Sequence, residues 1–447
     1  MGELSIERDQ VFRIKTARIP GMLGKALVVA GEHGANIGEI KTIHIGANHN
    51  IREVAIIAPG KEAIEAIAAA MNEIDGVDVL PGRIDKVWEQ HTGGKIRIQA
   101  NAVVRTLQDI REVYTPGVAR VVAAIAEDES LADTLTWRGN TIAIITNGTR
   151  VLGLGDVGPV AALPVMEGKS LFYAQMVGVN AVPLVLDAAD PDDVVEAVLR
   201  LAPGFGGIHL EDIATPAVYK IERALEERLD IPIFHDDQHG TAVVVAAAII
   251  SAARRAGRSV GDLTFGQVGL GAAGSAIAGL ASGLGFKSIA AYDPSDIGVN
   301  RLREVSAPDV VLDLGTTDDQ FDKVVSTSDV LVLATGQPGL LSPDRVVDGQ
   351  IIMALTNPLP EITPREAIEA GAVTAADGSI VNNVLSFPGI FRGALDARAP
   401  SVSIAMKRAA AFALADVTSE DELLPDPLDV SVHQAVAAAV AAAATQT

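Results

Sequence analysis

The stretch Leu263–Asp293 reads LTFGQVGLGAAGSAIAGLASGLGFKSIAAYD. Gly269, Gly271 and Gly274 form a G-x-G-x-x-G pattern that follows a predicted strand and opens a predicted helix. Each glycine has a physical job in such a turn. Gly269 permits the sharp reversal, Gly271 lets backbone approach a pyrophosphate, and Gly274 lets helix and strand pack closely. The helix N-terminus then presents unpaired N–H groups to the phosphates. Asp293 closes the second predicted strand, where a carboxylate can bind a ribose 2′-hydroxyl and repel a 2′-phosphate. This favours NAD. Arg301 lies close enough in sequence to accommodate a 2′-phosphate, so NADP stays open.

Working outward, the same sheet continues downstream. DVLVLATGQPGLL (329–341) ends a strand in Thr335 and Gly336, and QIIMALTNPLPEI (350–362) ends another in Thr356 and Asn357. Strand C-termini of this kind line the crevice of an open α/β sheet. Upstream, two further strands each end in adjacent carboxylates: Glu211 and Asp212 in GGIHLEDIATPA (206–217), and Asp236 and Asp237 in FHDDQHGTA (234–242). One pair alone reads as a solvated turn with a helix-capping Asp. Two pairs delivered to one sheet edge read as a site for a hard divalent cation, Mg²⁺ or Mn²⁺, because oxygen ligands without sulfur suit those ions. His235 and His239 flank this site, but the strands already offer enough oxygen.

The chain has 447 residues, 49% of them hydrophobic, a formal net charge of −22 and no cysteine. The length implies two or three domains. The acidic surface argues against nucleic acid and anionic membrane as partners. Absence of cysteine excludes disulfides, thiolate metal sites and cysteine nucleophiles, and fits the cytoplasm. The apolar runs are too short and alanine-rich to span a bilayer, and MGELSIERDQVF lacks the pattern of a secretory signal.

Periodicity predicts a multi-domain α/β protein in four parts: a small unit at 10–86, an α/β unit at 95–240, a second at 241–385, and a helical tail at 386–447 that packs back on a preceding domain. TIAIITNG (141–148) and NAVPLVLDA (180–188) are near-continuous apolar runs, as buried parallel strands should be. The first unit reads strand, helix, hairpin, helix, strand, the βαββαβ order of ferredoxin-like folds. Its stretch IPGMLGKALVVAGEHGANIGEI (19–40) resembles the ACT regulatory domain. That resemblance implies either a site for a small effector, commonly an amino acid, near Pro20–Leu23 and Ala35–Ile37, or a pure dimerisation module.

VYTPGVA (113–119), TRVLGLGDVG (149–158), MEGKS (166–170), HLEDIATP (209–216), FHDDQHGTA, VGLGAAG (268–274), ALTNPLPE (354–361) and VNNVLSFPG (381–389) occur in the order found in malic enzymes of the smaller bacterial type. The resemblance spans roughly residues 95–400 and implies a substrate domain plus a Rossmann-type NAD(P) domain. It implies oxidative decarboxylation of L-malate to pyruvate and CO₂, with Mn²⁺ or Mg²⁺, in a homodimer or higher homo-oligomer. By the same resemblance, Glu211, Asp212 and Asp237 are metal ligands, and Asp236 sits beside the catalytic base. Lys169 takes the C2 hydroxyl proton and Tyr114 protonates enolpyruvate. Arg150 holds a substrate carboxylate, and Asn357 and Asn383 contact substrate or nicotinamide. A lysine base needs a lowered pKa, which a cation and Arg150 are expected to supply. MEGKS itself reads as a glycine-flanked turn, and LGLGDVG as a glycine turn without the acidic partner of a second dinucleotide site.

Overall fold

The computed structural model describes residues 7–82, 84–151, 153–286, 288–307 and 310–445. The chain divides between Arg97 and Ile98 into two compact units.

The N-terminal unit holds β1 (Glu7–Ala17), β2 (Asn36–Ile45), β3 (His49–Pro59), β4 (Val77–Val79) and the short β5 (Ile84–Asp85), with helices Met22–Glu32 and Gly60–Asn72. The main path of its antiparallel sheet runs β2-β3-β1-β4, and β5 also pairs with β1. Alternation in β1 turns Phe12 and Ile14 into a core, where they meet Ala26 and Ala30 from one helix and Ile64, Ile67 and Met71 from the other.

The larger unit carries two parallel sheets. The first contains β6 (Thr141–Thr146), β7 (Asn180–Val185), β8 (Gly207–Leu210) and β9 (Ile233–His235), in the order β7-β6-β8-β9. All of β6, TIAIIT, is buried, which its unbroken run of apolar and β-branched residues requires. The second contains β10 (Phe265–Val268), β11 (Ser288–Tyr292), β12 (Val311–Gly315), β13 (Val330–Leu333), β14 (Ile351–Ala354) and β15 (Thr374–Asp377). Its order, β12-β11-β10-β13-β14-β15, is the 3-2-1-4-5-6 arrangement of a dinucleotide-binding sheet.

The sequence suggested a boundary at 240/241, yet residues 98–447 form one compact unit. The reason is the helix Thr241–Arg255, in which every residue from Ala242 to Ala253 is buried. Such all-round burial belongs to a helix packed on every side, not to a domain edge. One continuous core joins Ile142 and Tyr173 to Phe265 and Ile289 through this helix. Phe387, Ile390, Phe391, Leu414 and Val436 from the C-terminal helices lie in the same core. Among the described residues no helix is long and apolar enough to cross a membrane.

Candidate active site

Parallel strands point their carboxyl ends the same way, so the residues that follow them gather at one edge. Arg150 follows β6, Glu211 and Asp212 follow β8, and Asp236 and Asp237 follow β9. Between β6 and β8 the strand order reverses, and a crevice opens there. A cavity of about 520 Å³ occupies this place, lined by Arg150, Lys169, Glu211, Asp212, Asp237, Asn357 and Asn383. Ala272 and Ala273 of the glycine turn, together with Gly336, line the same cavity, so both sheets face one space.

Single carboxylate oxygens of Glu211, Asp212 and Asp237 lie within 4.8 Å of one another. Glu211 and Asp212 are each only 4% exposed. Burial pushes the Glu211 carboxyl up to about 7 against the pull of Lys169. Burial does the same to Asp212, also to about 7, and the charges of Glu211 and Asp237 add to it. Asp212 Oδ2 is buried without a hydrogen-bond partner. Its backbone sits at φ 52°, a left-handed conformation that side chains rarely adopt. Three crowded carboxylates, one with an orphaned oxygen, fit a hard divalent cation, which would satisfy that oxygen and remove the mutual repulsion.

Lys169 projects from the long helix Pro159–Val177, so MEGKS is helical rather than a turn. The pattern misleads because Pro164 and Gly168 interrupt what is nonetheless a continuous helix. Lys169 Nζ lies 2.7 Å from Glu211 Oε1, in contact with Asp236 Oδ2, and 4.7 Å from the centre of the Phe387 ring. Burial opposes the ammonium charge, but Asp236 and Glu211 outweigh it and hold the pKa above the ordinary lysine value. The depressed pKa expected of a base relies on a bound cation and Arg150; here the neighbours of Lys169 are Asp236, as the resemblance implied, and Glu211, whose charges favour the ammonium. Asn383 Nδ2 donates to Asp236 Oδ2 at 3.0 Å, and Asp236 is itself held above the usual carboxylate range by burial.

The turn after β9 is a single π-helical turn, Asp236–Gly240. It sends Asp236 and Asp237 to different work: Asp236 to Lys169, Asp237 to the carboxylate cluster.

On the other sheet, Gly269 has φ 86°, and a Cβ there would strike the Ala334 carbonyl. A Cβ on Gly274 would strike the Gly269 carbonyl, so helix and strand meet only without side chains. At Gly271 the space beside the backbone is open, which suits a cradle for a ligand. Asp293 Oδ2 accepts from the Leu270 amide at 2.6 Å and Oδ1 from Ser295 at 2.8 Å, so this acid also fastens the glycine turn. Arg301 stacks on Tyr219 at 4.8 Å and pairs with Glu304 at 3.6 Å.

Several supporting residues escaped the sequence reading. Fully buried Glu361 accepts at Oε1 from the Thr335 amide at 2.8 Å and the Thr356 hydroxyl at 2.6 Å, binding two strand-end loops together. Burial holds His209 near pKa 3, hence neutral. Its Nε2–H therefore donates to Glu211 at 2.7 Å, while Nδ1 accepts from Tyr173 at 2.8 Å. No spacing rule marks a lone His in GIHL as an orienter of Glu211. Tyr114 differs from the other site residues. It follows the helix Leu107–Val113, is 68% exposed and is not among the cavity's lining residues.

Fold and site define an α/β protein in which a carboxylate cluster faces a dinucleotide-type glycine turn across one cavity. Residues 93–226 match the family model "Malic enzyme, N-terminal domain". The chain is 42% identical over 435 residues to NAD-dependent malic enzyme 1 of Bacillus subtilis, covering 97% of each. It is 39% identical to NAD-dependent malic enzyme of Geobacillus stearothermophilus, covering 93% of this chain and 90% of that one. Among solved structures, malic enzyme from Pyrococcus horikoshii matches with a TM-score of 0.73 and 35% identity over 81% of this chain and 90% of that one. The chain belongs to the malic enzyme family.

Proposed function

We propose that the protein oxidatively decarboxylates L-malate to pyruvate and CO₂ with reduction of NAD⁺. The observation that carries this reading is the contact of Lys169 with Asp236 and Glu211 at the edge of the three-carboxylate cluster, in a cavity shared with the glycine turn. The names of the two curated relatives support NAD as cofactor. So does Asp293, and Arg301 is engaged with Tyr219 and Glu304.

Glu211, Asp212 and Asp237 would hold Mn²⁺ or Mg²⁺, and Gly269, Gly271, Gly274, Asp293, Thr335 and Gly336 would cradle NAD. When bound, these groups supply Lewis-acid polarisation and a hydride acceptor. The chain's own residues do the rest. Arg150, whose amide donates to the Asp212 carbonyl at 3.1 Å, brings a guanidinium to the cavity for a substrate carboxylate. Asn357 and Asn383 line the same cavity and would orient the substrate. Lys169 begins as an ammonium shared by two carboxylates. Once Glu211 serves as a ligand, Asp236 remains beside it, and its raised proton affinity suits it to take the lysine proton. The neutral amine then accepts the C2 hydroxyl proton as hydride leaves C2. Cleavage of the C3–C4 bond releases CO₂, and the enol needs a proton at C3. Tyr114 is the proposed acid, although it is not among the residues lining the cavity of its own chain.

A homo-oligomer supports that role. No residue of Leu107–Val113 or of the helix Val118–Glu127 is buried, and Leu107, Val113 and Val122 stand 80%, 51% and 61% exposed. Uncovered apolar faces on consecutive helices are the mark of a partner surface. The N-terminal unit, with its βαββαβ order, is proposed as an ACT-type module that takes a small effector or joins subunits.

The test is reduction of NAD⁺, and separately NADP⁺, by L-malate with and without Mn²⁺, with pyruvate assayed in parallel. Metal-dependent NADH and pyruvate in equal amounts establish the reaction. Lactate without net NADH would replace it with a malolactic conversion.

A further inference from the structure

A second cavity, of about 600 Å³, lies in the larger unit behind the carboxylate cluster. Its walls come from the helices Ala217–Glu226, Ala272–Leu284, Asp296–Val305 and Ile404–Val417 and from the turn Asp236–Gly240. Nothing in the proposed reaction uses it. One wall is apolar, formed by Leu280, Val305 and Ile404. The charged lining is more informative once internal partners are removed. Glu222 is spent on His239 at 2.8 Å and on Gln238 at 3.0 Å. Arg223 is spent on Glu227 at 3.0 Å. Three charged groups keep unused capacity. Arg301 Nε is buried with no hydrogen-bond partner. Among the described residues, the side chains of Lys407 and Glu226 make no hydrogen bond or ion pair. Burial pulls the Lys407 ammonium below the ordinary lysine value although Glu222 and Glu226 pull the other way.

One unpartnered ammonium, the unused Nε of an arginine otherwise held by Glu304 and Tyr219, one unpartnered carboxylate and an apolar wall are the complement of a zwitterion with an aliphatic side chain. We propose that this cavity binds a small aliphatic amino acid. Its carboxylate meets Lys407 and Arg301, its ammonium meets Glu226, and its side chain lies on Leu280, Val305 and Ile404. Lys407 and Arg301 are only partly exposed, so a carboxylate meeting them is less screened than one on an open surface, while Glu226 lies at the exposed rim.

The cavity is wired to the cluster. Gln238 Nε2 donates to Glu222 and also to His235 Nδ1 at 2.7 Å, which leaves the His235 Nε2–H to donate to Asp237 Oδ2 at 3.3 Å. Glu222 lines the second cavity and Asp237 the first. A ligand that moves Glu222 therefore moves a proposed metal ligand through two side chains, and by linkage each site must feel the other.

The experiment is calorimetric titration of the full-length protein with L-valine, beside 3-methylbutanoate, which lacks the ammonium. Mn²⁺ affinity is read by electron paramagnetic resonance with and without L-valine. L-Valine is expected to bind at least about tenfold tighter than 3-methylbutanoate. Lys407→Met and Arg301→Gln, each checked for an unchanged melting temperature, are expected to lose that binding while keeping NAD⁺ reduction without effector. Mn²⁺ affinity is expected to change at least about fivefold, the low end of ordinary coupling. L-Valine binding that survives both substitutions, as binding to the N-terminal unit would, overturns the proposal, and so does no binding at all. Unchanged Mn²⁺ affinity at saturating L-valine overturns the coupling. The coupling rests on the cation site proposed above, and Mn²⁺ binding without L-valine tests that site separately.

Discussion

Lys169 Nζ stands between two carboxylates that have different tasks, 2.7 Å from Glu211 Oε1 and in contact with Asp236 Oδ2. An ammonium so placed balances the charge of the cluster, and in the proposed mechanism it becomes a base only once a cation is bound. Lys169→Ala is expected to lower malate oxidation by at least about a hundredfold, the low end for general acid–base catalysis. Mn²⁺ binding should persist, because Glu211, Asp212 and Asp237 remain. Turnover within a few-fold of the parent would remove Lys169 from the mechanism, and steady-state NADH formation decides it.

The cluster also sets a pH dependence. Glu211 and Asp212 are raised to about 7 in the fold, above ordinary values of 4.5 and 3.8. Their folded forms hold protons that the unfolded chain has lost. Their contribution to stability is therefore complete below about pH 4 and is lost as pH rises through 7. His209 and His239, depressed to about 3 and 4, act oppositely and only below about 6.5. Without divalent metal, the melting temperature should fall between pH 6 and pH 8. Mn²⁺, which binds the ionised carboxylates, should raise it more at pH 8 than at pH 6. Equal increments at both pH values would mean that these carboxylates do not hold the ion.

The acidic pairs were legible because each closes a strand, and parallel strands must bring their ends together. The glycine turn was legible because its spacing encodes local geometry: Gly269 and Gly274 touch backbone that lies within one βαβ unit or its neighbouring strand. Glu361, His209 and the Glu222–Gln238–His235 chain were not legible. Their partners come from other elements, and a buried polar residue looks like any other until its partner is known. Lys169 was placed in a turn because local glycine and proline outvoted a helix that tertiary packing maintains. That the two sheets on either side of 240/241 share one core was hidden for a similar reason, since sequence alone does not show that Thr241–Arg255 is packed on every side.

Asp293 carries two loads, and they separate in an experiment. Its carboxylate fastens the Leu270 and Ser295 amides and is proposed to meet the ribose. Asp293→Asn keeps an oxygen for one amide and removes the charge. It is expected to raise the KM for NAD⁺ by about tenfold, leave kcat within a few-fold, and narrow the preference against NADP⁺, because the repulsion of a 2′-phosphate is gone. An unchanged ratio of the two cofactors' kcat/KM would mean that discrimination lies elsewhere.

Tyr114 is not among the residues lining its own chain's cavity, so its role has to be tested by assembly as well as by substitution. Tyr114→Phe is expected to cut turnover at least about a hundredfold while the protein still oligomerises. Val122→Asp, on the uncovered face of Val118–Glu127, is expected to yield monomer in sedimentation and to lose activity to a similar extent with Tyr114 intact. A fully active monomer would show that the cavity is complete in one chain.

Gly240 offers the narrowest test of the turn. A Cβ at this position would run into Asp236 Oδ1, with the Ser386 hydroxyl 3.2 Å away on the other side. Gly240 is helical rather than left-handed, so Gly240→Ala is not penalised by φ and the whole effect is steric. The methyl must displace the Asp236 carboxylate from its contact with Lys169 and Asn383, and the buried surroundings leave it nowhere comparable to go. Gly240→Ala is expected to cost about 1–3 kcal/mol of stability, as other overpacked sites do. It should also lower kcat by an order of magnitude or more, with Mn²⁺ affinity little changed, because Asp237 turns to the other side. A variant with parental kcat and a lowered melting temperature would show that Asp236 supports the fold but takes no part in moving the lysine proton.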